Sequence, residues 1–262
     1  MEKKAKIISF SCHKGGVGKT TSTASIGGIL AERERVLLVD LDPQMNLTTT
    51  FTDGDFERTI FNTFCDFRDR RSAELPVCNI RENLDLIPSS LDMSTLESSF
   101  ASVPGRDLVF KKLIAPIATS YDWILVDLPA QLGVITTNAL SASDWVLIPM
   151  SCDAYSADGL QQMVNFVNLI QEFNEKLDLL GVLITRYNPR RIVDSIVSEE
   201  LSREWAETVF DTRIRENAAI SKAPLAKKDI LMYDPKSKGA IDYAALCEEI
   251  RANITSKLKF RK

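Results

Sequence analysis

The chain has 262 residues, 45% of them hydrophobic and 26% charged, with a net charge of −4, the balance of a globular protein able to bury one sizeable core. No apolar run approaches the length of a membrane-crossing helix, and the start MEKKAKIISFSC runs straight into a glycine-rich stretch with no cleavage-site pattern, so neither a transmembrane span nor a signal peptide is expected. Five scattered cysteines (Cys12, Cys65, Cys78, Cys152 and Cys247) lack paired spacing, which argues against a metal cluster or disulfide framework and for a reduced, cytoplasmic setting.

From the N-terminus, short apolar runs alternate with helical patterns. Lys6–Ser11 reads as a strand, Thr20–Glu32 as a helix and Val36–Asp40 as a second strand. Residues 52–82 are the least regular stretch and are expected to form short helices and loops over one edge. Strands follow at Leu84–Pro88, Trp123–Asp127, Trp145–Pro149, Leu180–Thr185 and Val209–Ile214, with helices over Gly133–Ser141, Ala157–Lys176, Ile192–Ala206 and Ile241–Leu258. Continuously apolar runs such as WVLIP and GVLI suit strands buried on both faces of a parallel sheet. The alternation predicts an α/β fold, a doubly wound, mostly parallel twisted sheet flanked by helices. No repeat or low-complexity linker divides the chain, so a single domain over 1–262 is expected, without a separate N-terminal DNA-reading module. Charge is uneven: residues 211–262 carry a net charge of +5 and the remainder −9. That is either surface variation or a basic face that meets phosphate or an anionic membrane.

Between the first strand and helix lies SCHKGGVGKTT. Gly15, Gly16 and Gly18 let the backbone turn so that successive N–H groups point at phosphate oxygens, and the helix that follows adds its positive dipole end. Lys19 can reach the terminal phosphates and the Thr20 hydroxyl can ligate Mg²⁺. The first glycine of the usual G-x-x-x-x-G-K-[ST] pattern is replaced by His13, and an extra lysine, Lys14, follows it. Two apolar strands end near aspartates, LLVDLDPQ and ILVDLP. Asp127 fits an anion near Mg²⁺, and Asp42 is placed to orient an attacking water. A single strand-end aspartate is as readily a turn former or cap. Ligands of such sheets bind beyond the carboxyl ends of the strands, where Ser11, Asp42, Asp127 and Cys152 fall.

These residues resemble the ParA/MinD family of P-loop NTPases with a deviant Walker A loop, over essentially the whole chain. KGGVGKTT at 14–21 is similar to the family's phosphate loop, DLDPQMN at 40–46 to its switch segment, and DLPAQLG at 127–133 to its Walker B region. NALSASDWVLIPMSCDAYSADGL at 138–160 and ILMYDPKSKGAIDYAALCEEI at 230–250 resemble the ParA (Soj) branch. The resemblance implies ATP and Mg²⁺ as ligands, held by Lys14, Gly15, Gly16, Val17, Gly18, Lys19, Thr20 and Thr21, with Thr20 and Asp127 at the metal. Asn188 and Arg215 lie in segments that contact adenine in relatives. It also implies an ATP-bound sandwich homodimer in which Lys14 reaches the partner's nucleotide, so that Lys14, Lys19 and Asp42 form the catalytic set. A second cation supplied in trans can neutralise charge on the transferring phosphoryl, as an arginine finger does.

The departures from the family pattern are Leu128-Pro129-Ala130, in place of a double proline, and Ala219, where relatives often carry a DNA-contacting arginine. Arg190, Arg191, Arg213, Arg215, Lys222, Lys227 and Lys228 are the candidate substitutes. The leading functional expectation is a partition ATPase that binds DNA without sequence preference and acts with a ParB-like centromere-binding partner at the nucleoid, without stable membrane association. The alternative is a MinD-like ATPase cycling on a membrane, for which Leu246, Ile250, Ile254 and Leu258 would form the apolar stripe of an amphipathic helix, although such a stripe also suits packing on the core. An electron carrier of the nitrogenase-reductase type would need paired cysteines that are absent here, and a small-molecule ligase on this fold would need substrate residues that the sequence does not identify.

Overall fold

The computed structural model describes residues 4–153, 156–206 and 208–260. Its strands are β1 (Lys6–Phe10), β2 (Val36–Asp40), β3 (Cys78–Arg81), β4 (Leu84–Ile87), β5 (Trp123–Asp127), β6 (Trp145–Ser151) and β7 (Asp178–Thr185). They form one sheet in the order β3-β4-β2-β5-β1-β6-β7, parallel except for β3, which runs antiparallel to β4 at the edge. The helices are α1 (Lys19–Leu30), α2 (Asn46–Phe51), α3 (Ile60–Arg68), α4 (Leu96–Ser99), α5 (Val109–Ile114), α6 (Val134–Ala142), α7 (Ser156–Gln171), α8 (Ile192–Glu204), α9 (Ala218–Lys222), α10 (Ile230–Tyr233) and α11 (Lys238–Phe260).

β2 and β5 are buried at every position, which is why their sequences show no polar alternation. Successive residues still face opposite layers. Ile8, Leu38 and Leu125 meet Ile26 and Leu30 of α1 and Leu246 and Ile250 of α11. Ile7, Leu37 and Ile124 meet Phe64, Phe110 and Leu113 on the other side. A third cluster packs β6 and β7 against Met163, Val167 and Ile170 of α7.

Two expectations need correction. Val209–Ile214 forms no strand. It runs beside β7 with one isolated bridge, Val209 to Val182, and a second, Arg215 to Tyr187, just beyond the ends of both, because side chains take the backbone groups a ladder would use. The Glu249 carboxylate accepts from the N–H groups of Asp211 (2.6 Å) and Thr212 (3.0 Å), and Arg213 donates to the carbonyls of Phe210 and Asp211. The irregular stretch 52–82 does contain a short helix, α3, but it also supplies β3, a four-residue edge strand too short and too polar to be read from its pattern. In α11, Leu246, Ile250 and Ile254 are buried while Leu258 is 44% exposed. The stripe considered for a membrane therefore packs on the core over three of its four positions.

Gly28 of α1 permits the closest approach of the C-terminal segment. A Cβ there would lie 2.3 Å from the Asp229 carboxyl carbon. Asp229 is itself buried, pairs with Arg81 at 3.3 Å and caps α10 by accepting from the Met232 N–H. Gly28→Ala gains about 1 kcal/mol of helix propensity, but overpacking costs about 1–3 kcal/mol and a disturbed cap about 1 more. The variant is expected to unfold at lower denaturant with an unchanged slope. A higher midpoint, as propensity alone dictates, would show that Asp229 is free to move.

Candidate nucleotide-binding site

The site grows from the end of β1. Gly16 and Gly18 take positive φ values of 74° and 87°, conformations that a side chain would strain. Gly18 opens α1 with no side-chain cap, so the first N–H groups of that helix keep their capacity for an anion. The loop is fastened from behind by β7, where the Thr185 hydroxyl donates to the Val17 carbonyl at 2.8 Å and Arg186 donates to the Gly16 carbonyl at 3.3 Å. A Cβ on Gly15 or Gly16 would meet open space, so the loop's outer side faces a cavity.

The two lysines occupy different places. Lys19 is only 7% exposed, and its ammonium curls over the loop, donating to the carbonyls of Cys12 (3.4 Å) and Lys14 (3.3 Å). The Lys14 side chain is 52% exposed on the rim and pairs with Asp153 at 2.6 Å. His13, standing where the usual glycine would be, sets Nδ1 3.2 Å from the Ala130 carbonyl, linking the loop to the segment after β5.

Parallel pairing sets Asp40 directly beside Asp127. Both are completely buried. The Asp40 carboxylate accepts from the Thr48 N–H (2.8 Å), the Thr48 hydroxyl (2.7 Å) and the Asp42 N–H (3.0 Å). Burial nevertheless pushes its pKa up to about 7. Asp127 is likewise raised, by burial first and by the Asp40 carboxylate next, against the opposing pull of the Thr20 hydroxyl and Lys19. Asp127 Oδ2 accepts from Thr20 Oγ1 at 2.6 Å, while the buried Oδ1 has no partner. An orphaned carboxylate oxygen next to a hydroxyl on a helix N-terminus is a donor set that suits a hard divalent cation.

A cavity of about 1010 Å³ opens beyond the loop, with Asp42, Asn46 and Thr49 on one wall and Ala223, Leu225 and Lys227 on another. Asp42 is half-buried, and its Oδ1 accepts from the Gln44 N–H at 2.9 Å. A second cavity of about 490 Å³ runs from Gly18 and Thr21 to Arg215 and Asn217. Arg215 lines it, with its guanidinium held by Asp242 at 2.5 Å. Asn188 lines neither cavity; its amide donates to Glu216 at 3.4 Å and its oxygen accepts from the Arg190 N–H at 3.0 Å.

The basic candidates for phosphate-backbone contact divide the same way. Arg213 is spent on two carbonyls and the hydroxyls of Ser198 and Ser202, Arg215 on Asp242, and Arg191 on Glu216. Lys227 donates to carbonyls of the α2 region. Among the described residues, Arg190, Lys222 and Lys228 are exposed and make no ion pair.

Three residues of this site escaped the sequence reading. Asp40 was legible in principle, because VLLVD and WILVD end alike and parallel pairing in register aligns their last residues. Asp153 and Thr185 carry no pattern of their own, since each matters only through the loop it touches.

A family model described as an AAA domain matches residues 5–179. The sporulation initiation inhibitor protein Soj of Bacillus subtilis (strain 168) is 37% identical over 252 residues, covering 95% of this chain and 99% of that one. The chromosome partitioning protein ParA of Myxococcus xanthus (strain DK1622) is 34% identical over 261 residues, covering 98% and 92%. Among solved structures, the cobyrinic acid a,c-diamide synthase of Mycobacterium smegmatis, with bound ATP analog and magnesium, matches with a TM-score of 0.79 at 28% identity over 93% of each chain. With its glycine loop, paired strand-end aspartates and near full-length similarity to these relatives, the chain belongs to the ParA/Soj family of partition ATPases.

Proposed function

We propose that this chain partitions DNA by an ATP-driven cycle of dimerisation, in which the ATP-bound form is a sandwich dimer that holds DNA through its phosphates and is released when a ParB-like partner stimulates hydrolysis. The observation that carries the reading is the division between the two loop lysines. Lys19 is buried within its own loop, suited to the phosphates of its own nucleotide, whereas Lys14 stands on the rim, more than half exposed and held by a single carboxylate. An exposed ion pair of this kind contributes about 0–1 kcal/mol, so Lys14 can leave Asp153 for a nucleotide presented by a second subunit. Hydrolysis then depends on dimerisation.

Thr20 and Asp127 would hold Mg²⁺, which when bound neutralises phosphate charge. Backbone N–H groups of residues 15–20 would cradle the phosphates, and Asp42, at the cavity wall, would orient water. Arg215 lines the second cavity and Asn188 does not, so of the two Arg215 is the residue that would meet an adenine seated there. No helix among the described residues is long and apolar enough to cross a membrane, and the burial of Leu246, Ile250 and Ile254 removes most of the stripe that a membrane-cycling reading requires.

ATP with Mg²⁺ should convert monomer to dimer in sedimentation, and Lys14→Ala should lower turnover about 1,000-fold or more, within the range of a trans-acting cation. A wild-type protein that stays monomeric under a saturating non-hydrolysable analogue sinks the sandwich reading. Asp42→Ala should prolong the ATP-bound dimer with nucleotide affinity retained, because a water-orienting group contributes about 10²–10⁴ to rate. Lys19→Ala should abolish productive binding, and equal loss of nucleotide affinity in the two variants would contradict this division of roles. Unrelated duplexes should bind the ATP form alike, with the logarithm of affinity falling by about 0.9 per phosphate contact for each unit of log salt. Arg190 and Lys222 changed together to glutamate should flatten that slope while basal turnover persists. Liposome binding without an ATP-dependent DNA shift would favour the membrane reading instead.

A further inference from the structure

Lys227 follows the short helical turn Pro224–Ala226 and adopts a φ of 55°. A lysine in the left-handed region costs about 1–2 kcal/mol, and such strain persists where the surroundings over-determine it. Here the side chain supplies the determinant. The Lys227 ammonium donates to the carbonyls of Thr49 (2.9 Å) and Thr52 (2.6 Å) and lies 3.8 Å from the Asp53 carboxylate. These carbonyls close the C-terminal end of α2, where a cation meets both unpaired acceptors and the negative end of the helix dipole.

The segment that carries Lys227 is itself fixed. Two residues on, Asp229 is buried against Gly28, paired with Arg81 and capping α10. Lys227 therefore ties a rigid wall of the large cavity to the opposite wall, which contains α2. In its first turn, α2 is tied to Asp40 through Thr48, which gives both its N–H and its hydroxyl to that carboxylate. Asp42 lies four residues before the start of this helix, and its carbonyl accepts from the N–H of Met45, the N-cap, at 2.9 Å. The switch segment is thus held at Asp40 and clamped at Lys227, with Asp42 on the cavity side.

The geometry points to Lys227 as a positioning residue for hydrolysis: its ammonium clamps the C-terminal carbonyls of α2 and so fixes Asp42 at the rim of the phosphate cradle. This rests on the proposed role of Asp42, and it takes Lys227 out of the set of DNA contacts. The ammonium touches neither loop nor metal site, so its loss should appear in kcat and not in nucleotide affinity.

Lys227→Gly is the informative variant, because glycine relieves the left-handed strain while deleting the ammonium. Full-length wild type, Lys227→Gly and Lys227→Arg would be compared for thermal midpoint, ATP turnover and DNA binding. Lys227→Gly should melt at the same temperature or higher, keep KM for ATP within about twofold and lose about 5–10-fold in kcat, the scale of a misplaced catalytic group. Lys227→Arg should recover most of that loss. Unchanged kcat in the glycine variant overturns the proposal. So does a fall in kcat matched by a fall in the melting midpoint, which would mark a structural role alone. Loss of DNA binding at wild-type kcat would return Lys227 to the DNA surface. If the wild type itself hydrolyses no ATP, the functional reading fails and not the clamp.

Discussion

The site depends on parallel strand register. Because β2 and β5 pair in step, Asp40 and Asp127 end side by side, both fully buried. Burial raises the pKa of both carboxyls, the Asp40 carboxylate raises that of Asp127 further, and negative charge so enclosed asks for compensation. Asp40 is compensated from within, by two donors from Thr48 and one from Asp42. Asp127 is not, since one of its oxygens has only the Thr20 hydroxyl and the other has nothing. The asymmetry separates an aspartate that organises the switch segment from one left available to a cation.

The same edge of the sheet accounts for the division of labour among cations. Lys19 is drawn inward by loop carbonyls, Lys14 is parked outward on Asp153, and Lys227 spans the cavity to the end of α2. Each is held by contacts weak enough to be exchanged or strong enough to position a neighbour. Burial separates the two cases for the loop lysines, because a buried ammonium has little water to exchange for its carbonyl partners, whereas an exposed pair competes with water.

Much of this was legible in the sequence. The glycine loop between an apolar run and a helix, the aspartates at two strand ends and the alternation of strands with helices all follow from local chemistry. β3 escaped because a four-residue antiparallel edge needs neither apolar alternation nor a turn signature beyond Asn83, the left-handed residue that joins it to β4. Val209–Ile214 misled because its apolar content serves packing on β7 while Glu249 and Arg213, remote in sequence or unremarkable in pattern, claim its backbone. The basic residues near the C-terminus looked equivalent as letters. Only their partners divide Arg213 and Arg215, which are internally committed, from Arg190, Lys222 and Lys228, which face solvent.

The account's central claim is that catalysis is shared between subunits, with Lys14 acting on a nucleotide that its own loop does not hold. The most direct measurement is ATP turnover per subunit across a wide range of protein concentration at saturating ATP and Mg²⁺. The account predicts a rate that rises with concentration and levels off where sedimentation finds the dimer complete. A turnover per subunit that is the same at every concentration, including those where the protein is monomeric, would contradict it.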